Sequence, residues 1–419
     1  MWAVSETVTV AEIEGRGRGL VSTQSLKAGQ IVLRDSPILL YSALPFVNSS
    51  SFCHNCFRKT MHSSSSICPS CSVAFCSPKC STAAASSSHS PYVCQALTRL
   101  LNLNSPDAAN LPLDRQVQAR FLIAAYNLAV VNPSQFQNLL ALQGTVTDND
   151  TSAAHYLSSL CPPPASATIE LTAALLTKDR LNAFGLMEPY IEGQDGRRSV
   201  RAYGIYLKAS FFNHDCLPNA CRFDYVDAAA ENNTDIIVRM IHDVPQGREI
   251  CLSYFPVNYD YSTRQKRLLY DYGFACDCDR CKVEANWSDN DNDNENNEEV
   301  MDEDQDEQMV ASDDDAEVHG DTNFPHAYFF MRYMCDRDNC WGTLAPLPPS
   351  DATPSTVMEC NVCGNLKNDA IGREDTVGDV SSGMSNVTAT SFTIFDQNIY
   401  GQMQAFTNQA ISSGPLSFF

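Results

Sequence analysis

Cysteine is the residue type whose spacing carries the most chemistry in this sequence. Eighteen cysteines occur among 419 residues, and most stand in short groups separated by one to four residues. A tight turn within such a group lets two thiolates face one metal ion, and four Cys or His ligands complete a tetrahedral zinc site. The spacing therefore predicts zinc centres rather than disulfides, as is typical of a reducing compartment.

The first group supplies enough ligands for two zinc ions. Its members fall into four consecutive pairs: Cys53 and Cys56, Cys68 and Cys71, Cys76 and Cys80, and His89 and Cys94. Either His54 or His62 is an alternative to the histidine of the last pair. Scattered buried cysteines would not produce four pairs at ligand spacing, so we predict a two-zinc finger here.

The second group is the run Cys276, Cys278 and Cys281. Three ligands leave a tetrahedral zinc ion one short, so the fourth must come from elsewhere in the chain. Cys216, in the segment Asn213–Asn219, is the natural candidate. A metal ion shared by these two segments would hold the later one against the earlier loop.

The third group has the spacing of a zinc ribbon, in which two knuckles supply two ligands each. Its members are Cys335, Cys340, Cys360 and Cys363, and unpaired thiols are the alternative interpretation. The remaining cysteines are expected to be small buried side chains rather than nucleophiles. They are Cys161, Cys221 and Cys251.

Composition and charge limit the class of protein. No run of about 18 uncharged apolar residues indicates a membrane span, and the first residues do not resemble a secretory signal. We therefore expect a soluble protein of the nucleus, the cytoplasm or both. Much of the net charge of −22 lies between Asp289 and Glu317, a stretch without Lys or Arg. Such a stretch cannot bury enough apolar surface to fold, which predicts a disordered acidic linker over 284–322; capture of basic partners is its alternative role.

The elements that must position these residues are short strands and a few helices. Alternating or β-branched segments bounded by turn residues predict strands at 8–10, 29–33, 38–41, 236–241 and 249–254. Apolar residues at helical spacing predict one helix over 114–131, and a second is expected over 169–186. A short helix is predicted after Tyr261, just before the second cysteine group.

Three further segments carry a family resemblance. They are Arg16-Gly17-Arg18-Gly19-Leu20, Asn213-His214-Asp215-Cys216-Leu217-Pro218-Asn219 and Glu249-Ile250-Cys251-Leu252-Ser253-Tyr254. In this order, with the second cysteine group behind them, they look like a SET domain. With the two-zinc finger inserted after the first segment, the chain resembles the SET and MYND domain-containing protein lysine methyltransferases over roughly residues 8–283.

The resemblance implies an α+β fold class with a mostly β SET core, in which two segments make a threaded, knot-like crossing. The implied domain organisation divides the chain as follows: an N-terminal part of the SET domain over 1–48, a MYND zinc finger over 53–94, a helical SET insert over 97–186, the core SET domain over 187–256, a post-SET zinc segment over 257–283, the acidic linker over 284–322, a zinc-ribbon-like segment over 323–367 and a polar tail over 368–419.

The resemblance also implies how the ligands of the finger are shared. Members of the family interleave their pairs, so one zinc ion would be held by Cys53, Cys56, Cys76 and Cys80, and the other by Cys68, Cys71, His89 and Cys94. Counting one post-SET ion and one in the ribbon, four zinc ions are expected. The finger would bind proline-rich peptides. Direct DNA binding is not expected, because the chain is acidic and has no basic stripe.

The implied reaction is methyl transfer from S-adenosylmethionine to the amine of a protein lysine, in a histone tail or a non-histone protein. By the resemblance, the cofactor would be bound by Arg16, Gly17, Arg18, Asn182, Asn213, His214, Tyr254 and Phe274. Tyr254 would orient the methyl group as the catalytic residue, and Tyr272 and Phe274 would line the lysine channel. Without the resemblance, these three aromatic residues would be interpreted as buried core side chains.

Two features depart from the family pattern. Asp215 stands where the family usually has serine, and the chain after residue 283 is too short for the helical-repeat domain of many relatives. A non-catalytic adaptor is the main alternative, although the retained Asn213, His214 and Tyr254 favour an enzyme. A transcription factor that binds DNA through its cysteine modules is less consistent with the acidic charge.

The cysteine spacing generates a prediction about metal content. We expect elemental analysis of protein purified without chelators to find about three or four zinc ions per chain, since each tetrahedral site needs four ligands. A value near two would remove the ribbon and post-SET centres together. A value near zero would contradict the whole architecture.

Overall fold

A computed structural model describes most of the chain before residue 286 and a shorter C-terminal part. The described residues are 5–46, 51–60, 66–101, 111–160, 167–191, 198–228, 232–285, 331–338, 340, 342–350 and 353–369. The predicted acidic linker lies outside them except for its first two positions, as does the predicted tail except for residues 368 and 369. Cys161 also lies outside the described residues.

Fifteen strands are described, most of them short. They are β1 (Val8–Ile13), β2 (Gly17–Ser22), β3 (Ile31–Asp35), β4 (Leu39–Ser42), β5 (Ser66–Ile67), β6 (Ala74–Phe75), β7 (Ala183–Met187), β8 (Val200–Ile205), β9 (Asn213–His214), β10 (Ala220–Asp224), β11 (Ile236–Met240), β12 (Glu249–Leu252), β13 (Leu344–Pro346), β14 (Val357–Cys360) and β15 (Leu366–Asn368).

The described α-helices lie mainly between the finger and the second half of the core. They are α1 (Pro78–Ala85), α2 (Pro91–Leu101), α3 (Leu113–Val131), α4 (Pro133–Leu140), α5 (Asp148–Leu160), α6 (Ile169–Asn182), α7 (Tyr261–Arg267) and α8 (Asp279–Glu284). A π-helical turn, Leu268–Tyr272, continues α7. Among the described residues, no helix is both long and apolar enough to cross a bilayer.

A four-stranded sheet of order β1-β2-β12-β9 brings the three SET-like segments together. β12 runs antiparallel to β2 and parallel to β9, so Asn213 lies beside Cys251 and His214 beside Leu252. The parallel pair joins segments that are far apart in the sequence and therefore depends on the tertiary fold. The threaded crossing of these segments stays a prediction.

A second sheet, of order β10-β11-β3, is covered on both faces. All five residues of β11 are buried, as expected for a strand between two packed layers. Val238 and Met240 face the core that contains Leu20, whereas Ile237 packs in a separate cluster with Ala345 of β13. The C-terminal segment therefore covers the outer face of this sheet.

The helical region agrees with the predicted pattern at its start and differs at its end. Helix α3 covers the predicted segment, and its apolar face is buried at Phe121 and Leu128. Helix α6 begins at Ile169, capped by the Thr168 side chain, but it ends at Asn182 instead of residue 186. Ala183 takes an extended conformation, and residues 183–187 pair with β8 along the edge that β4 does not occupy.

The finger segment is fixed to the core by one buried arginine. Arg201, on β8, donates at 2.8 Å to the carbonyl of Phe57 in the finger. The same guanidinium pairs with Glu188 at 2.7 Å and with Asp227 at 2.8 Å. Its side chain is fully buried and lies 4.3 Å from the centroid of the Phe52 ring. These contacts tie the finger to two different parts of the core.

The C-terminal cysteine segment forms a small sheet of order β13-β14-β15 and docks through a second buried arginine. Arg239, on β11, pairs at 2.8 Å with Glu359 of β14. Tyr225 donates to the same carboxylate at 3.0 Å, and the Arg239 guanidinium lies 3.6 Å from the Phe223 ring centroid. The ion pair is buried on the arginine side, at 2% exposure, so the segment is part of the core's packing.

This docking predicts that Glu359→Gln destabilises the whole core. The change leaves the buried Arg239 charge without its partner, which costs about 3 kcal/mol of unfolding free energy for a broken buried pair. Denaturant unfolding in zinc-containing buffer measures the effect. Asp336→Asn, which breaks an exposed pair with Lys367 in the same segment, should cost less than about 1 kcal/mol. Equal losses in the two variants would contradict the docking role.

Candidate active site and metal centres

Four groups of cysteine and histidine side chains converge, and each brings four ligand atoms within 4.8 Å of one another. Each group can therefore hold one tetrahedral metal ion. They are the same four sets that the spacing and the resemblance predict: Cys53, Cys56, Cys76 and Cys80; Cys68, Cys71, His89 and Cys94; Cys216, Cys276, Cys278 and Cys281; and Cys335, Cys340, Cys360 and Cys363.

Distances between sulfur atoms fit a shared metal ion and do not fit a disulfide. The Sγ atoms of Cys56 and Cys76 lie 3.7 Å apart, and those of Cys216 and Cys281 lie 3.5 Å apart. With zinc–sulfur bonds of about 2.3 Å, two thiolates of a tetrahedral site stand about 3.8 Å apart, whereas a disulfide bond is about 2.0 Å long. Thiolates with at most one imidazole form the donor set that zinc prefers.

A third buried arginine donates hydrogen bonds to the cluster around Cys216. Arg264, on α7, is fully buried, and its Nε donates toward Cys216 Sγ at 3.3 Å. Another nitrogen of Arg264 donates to Glu284 at 2.6 Å, and Arg280 donates to the other oxygen of that carboxylate at 2.6 Å. Four thiolates around a divalent ion carry net negative charge, so N–H donors toward sulfur stabilise such a cluster.

His214 connects this cluster to the predicted catalytic strand. Burial lowers the pKa of His214 to about 3, so its ring is neutral near pH 7. Nδ1 accepts a hydrogen bond from the backbone N–H of Tyr254 at 3.1 Å, which places the ring proton on Nε2. Nε2 lies 3.2 Å from Cys216 Sγ, so the ring bridges the predicted metal ligand and the end of β12.

Glu249, at the start of β12, links two predicted cofactor-binding residues. Its carboxylate accepts hydrogen bonds from Arg16 at 2.5 Å and from Asn213 Nδ2 at 2.7 Å. Arg16 also donates to the backbone carbonyl of His214. The close approach requires Gly19, because a Cβ there would lie 2.6 Å from the Glu249 carboxylate. One carboxylate thus holds two donors against the same loop.

The aromatic residues predicted for the lysine channel gather around Tyr254. The Tyr254 hydroxyl donates to the carbonyl of Phe212 at 2.9 Å. Its ring centroid lies 4.8 Å from that of Tyr272, which in turn lies 6.5 Å from that of Phe274. Burial raises the pKa of Tyr254 above its ordinary value, so its hydroxyl stays protonated. Phe274 is 37% exposed, which leaves this aromatic wall open on one side.

Arg18 and Asn182 lie away from the Glu249 contacts and reach a different segment. Arg18 donates at 2.9 Å to the carbonyl of Ala141, and Asn182 donates at 2.9 Å to that of Gln143. Gly17, with φ of +72°, takes the left-handed conformation that favours glycine. The chain turns there, so Arg16 and Arg18 make contacts on different sides of the site.

Asp215, which departs from the family pattern, finds a local donor. Its carboxylate accepts a hydrogen bond from the backbone N–H of Leu217 at 2.8 Å. Burial, with a further contribution from Cys278, raises the pKa of Asp215 to about 7. The carboxylate therefore folds back onto its own loop, as an aspartate in a turn often does.

Glu249 and Arg264 take part in the site although the sequence does not assign them a role. Glu249 is a carboxylate in an otherwise apolar strand, which is a signal of a buried polar contact. Arg264 stands in a short polar helix, Tyr261–Arg267, and carries no such signal. Their partners come from distant parts of the chain, and only the fold brings them close.

The arrangement of these motifs around one sheet defines the class of protein. A model of the SET domain family matches residues 17–255, more than half of the chain. The chain therefore belongs to the SET domain family. The histone-lysine N-methyltransferase ASHR2 of Arabidopsis thaliana is 58% identical over 387 residues, which is 87% of this chain and 96% of that protein. The present chain is accordingly a protein-lysine N-methyltransferase, which confirms the predicted reaction over the adaptor alternative.

More distant relatives match smaller parts. The protein-lysine N-trimethyltransferase SMYD5 of Gallus gallus is 26% identical over 197 residues, 46% of this chain and 39% of the relative. The histone-lysine N-methyltransferase SMYD1 of Homo sapiens is 24% identical over 292 residues, 66% and 56% respectively. The crystal structure of the SET domain of LSMT bound to lysine and AdoHcy shares 13% identity over 66% of this chain and 55% of that chain, with a TM-score of 0.30. A TM-score this low supports no conclusion, and the assignment rests on the sequence matches.

The arginine behind Cys216 generates a prediction about metal retention. Arg264→Met removes donors toward two sulfur atoms and should weaken zinc binding at this cluster about 10- to 100-fold, as for other outer contacts of metal ligands. Titration with a coloured chelator should then release one zinc ion per chain early. Lys266→Met, at an exposed position of the same helix, should release zinc like the wild type. Early release by both variants would contradict the specific role of Arg264.

Proposed function

We propose that this methyltransferase binds S-adenosylmethionine beside Arg16, Asn213 and His214, and transfers the methyl group to a lysine held beside Tyr254. The network around β12 carries the proposal. Glu249 holds Arg16 and Asn213, while His214 holds the backbone of Tyr254. The residues predicted for cofactor binding and for catalysis are therefore parts of one connected site.

The residues present fit the cofactor's chemistry. When bound, S-adenosylmethionine supplies an electrophilic methyl group on a sulfonium, together with a carboxylate and an ammonium at its amino-acid end. The Arg16 side chain is 34% exposed, so it can reach a carboxylate from solvent. The Asn213 amide offers a donor and an acceptor to the same end. Phe274, partly exposed next to His214 at 6.4 Å between ring centroids, offers a flat surface to the adenine.

The channel residues act on the substrate lysine by positioning and desolvation. Displacement at a methyl group needs the attacking amine in line with the bond that breaks, so geometry supplies much of the rate. The Tyr254 and Tyr272 rings, with centroids 4.8 Å apart, form one apolar wall against which the aliphatic stem of the lysine packs. Both hydroxyls stay protonated because burial raises their pKa values, that of Tyr272 to about 12. Desolvation in a buried channel favours the neutral amine, which is the form that attacks.

The Tyr254 hydroxyl and the Phe212 carbonyl form a preorganised polar pair at the end of the channel. Their hydrogen bond orients the hydroxyl oxygen toward the position where positive charge is redistributed during transfer. A histone lysine is the substrate that the similarity to ASHR2 supports, and a lysine of a non-histone protein is the alternative. We assign the enzyme to the nucleus, the cytoplasm or both.

We further propose that each of the four clusters holds one zinc ion, two of them in a MYND-type finger over residues 53–94. The support is the interleaving of the ligand sets, in which pairs distant in the sequence share one centre. A proline-rich peptide remains the predicted ligand of this finger. Because Arg201 fixes the finger to the core, a bound peptide would be held at a constant place relative to the active site.

The role of Tyr254 predicts the behaviour of Tyr254→Phe. The variant keeps the ring but lacks the hydroxyl, so methyl transfer should fall by about 100-fold or more. Binding of S-adenosylmethionine should change by less than several-fold, because the Glu249 network is intact. A labelled-methyl assay on a histone or cell-extract substrate measures transfer, and calorimetry measures cofactor binding.

Two matched variants test whether the loss is specific. Tyr206→Phe removes another hydroxyl that donates to a backbone carbonyl, at 2.6 Å from Thr234, within the same core; its turnover should stay near the wild-type value. Asn213→Ala should lose cofactor affinity first. Wild-type turnover by Tyr254→Phe would rule out the role given to its hydroxyl.

A further inference from the structure

Four consecutive carbonyl oxygens after helix α4 all accept hydrogen bonds from side chains. Arg18 donates to Ala141 at 2.9 Å, and Asn182 donates to Gln143 at 2.9 Å. The ammonium of Lys178 binds the other two carbonyl oxygens of the four. It donates to the carbonyls of Leu142 at 2.6 Å and Gly144 at 3.2 Å. We name residues 141–144 the carbonyl turn.

The three donors of the carbonyl turn come from two parts of the fold. Arg18 lies on β2, whereas Lys178 and Asn182 are one helical turn apart on α6. Asn182 also donates from its side chain to the backbone carbonyl of Lys178 at 2.9 Å, one turn earlier on the same helix. The turn therefore joins the strand that starts the SET domain to the last turn of α6.

Lys178 is the only one of these donors that sequence motifs leave without a function. Lys178 is 8% exposed, which is unusual for a lysine unless its ammonium has hydrogen-bond or ion-pair partners. Burial lowers the pKa of Lys178, and the nearby positive charge of Arg18 lowers it further. Burial disfavours the charge of this ammonium, and its two hydrogen bonds to carbonyls are the contacts that stabilise it there.

The turn is also packed tightly against α6. Gly144 has φ of +149°, and a Cβ there would lie 2.6 Å from the Cγ2 atom of Thr177. Leu142 is buried, at 6% exposure, between the two ends of the turn. The backbone of residues 141–144 is therefore held from one side by packing and from the other by hydrogen bonds.

We propose that Lys178 is a positioning residue for the cofactor site: by holding the carbonyls of Leu142 and Gly144, it keeps the neighbouring carbonyls of Ala141 and Gln143 in place for Arg18 and Asn182. The inference rests on the proposed function, together with the cofactor-binding role that the family resemblance implies for Arg18 and Asn182. Lys178 itself touches no reacting atom. Its loss should therefore weaken cofactor binding and leave the transfer step unchanged once the cofactor is saturating.

The test uses Lys178→Met in the full chain, with S-adenosylhomocysteine as the calorimetric probe. We expect binding to weaken by about tenfold or more, because a charged donor to two buried carbonyls is lost. The Michaelis constant for S-adenosylmethionine should rise in parallel, while kcat at saturating cofactor stays within about twofold. A purely structural lysine would lower thermal stability without this separation of the two kinetic constants.

The control is Tyr126→Phe. It removes a buried hydroxyl contact of 2.6 Å with Thr172, on the same helix but outside the carbonyl turn. We expect it to lower stability and to leave cofactor affinity unchanged. If both variants lost affinity equally, general destabilisation would explain the result and the proposal would be overturned.

Gly144→Ala keeps the proposal testable if the lysine variant does not fold. The added methyl group displaces the turn from Thr177 with Lys178 intact, so affinity for S-adenosylhomocysteine should fall as well. Wild-type affinity in either folded variant overturns the positioning role. Absence of binding by the wild-type protein itself would instead refute the proposed cofactor site, and the positioning role with it. Measuring the wild type first separates these two failures.

Discussion

The organisation of the site depends on the contacts that the neutral imidazole of His214 makes. One ring nitrogen accepts the backbone N–H of Tyr254, and the other lies against the sulfur of Cys216. Cys216 belongs to a cluster whose other ligands stand about sixty residues later, at Cys276–Cys281. A single ring thus joins the loop of the SET motif, the end of β12 and the segment that carries the channel aromatics. Displacement of that segment would move Tyr272 and Phe274 away from Tyr254.

Three buried arginines have the same structural role at three junctions in the molecule. Among the residues that the structure describes, Arg201, Arg239 and Arg264 are the largest fully buried side chains, and each one lies where a cysteine module meets the SET core. Arg201 contacts the finger, Arg239 contacts the C-terminal sheet, and Arg264 contacts the cluster around Cys216. Small modules held by metal ions have little apolar surface of their own. A guanidinium, with several donors in one plane, can satisfy carboxylates and carbonyls from both sides of such a junction.

The C-terminal segment supplies a packing layer on the outer face of β11. Ala345 packs with Ile237 on the outer face of β11, and Glu359 neutralises Arg239 from the same side. Without this segment, a fully buried strand would be exposed on one face. The segment therefore stabilises the sheet that contains β10, the strand that directly follows the SET loop Asn213–Asn219. Its effect on catalysis would be indirect, through the stability of that sheet.

Local spacing in the sequence predicted the features that depend on near neighbours. Cysteine pairs such as Cys53 and Cys56 share one turn of chain, and the apolar face of α3 repeats at helical spacing, so both can be recognised without the fold. The order of the SET segments indicated the reaction and the residues Asn213, His214 and Tyr254. The predicted end of α6 was wrong, because residues 183–187 form a strand by pairing with β8, and their own sequence does not specify that partner.

Only the tertiary structure decided which distant groups meet. Glu249 accepts from Arg16 across more than two hundred residues, and Lys178 reaches a turn more than thirty residues earlier. Such contacts follow from the stacking of sheets and helices, which periodicity within one segment cannot specify. The sequence by itself therefore determined the chemistry that the chain can perform. The geometry that holds the loop of Asn213 and His214, the cysteine clusters and the aromatic residues around Tyr254 in one unit came from packing, because a buried charged or polar group is costly unless its partner is in place.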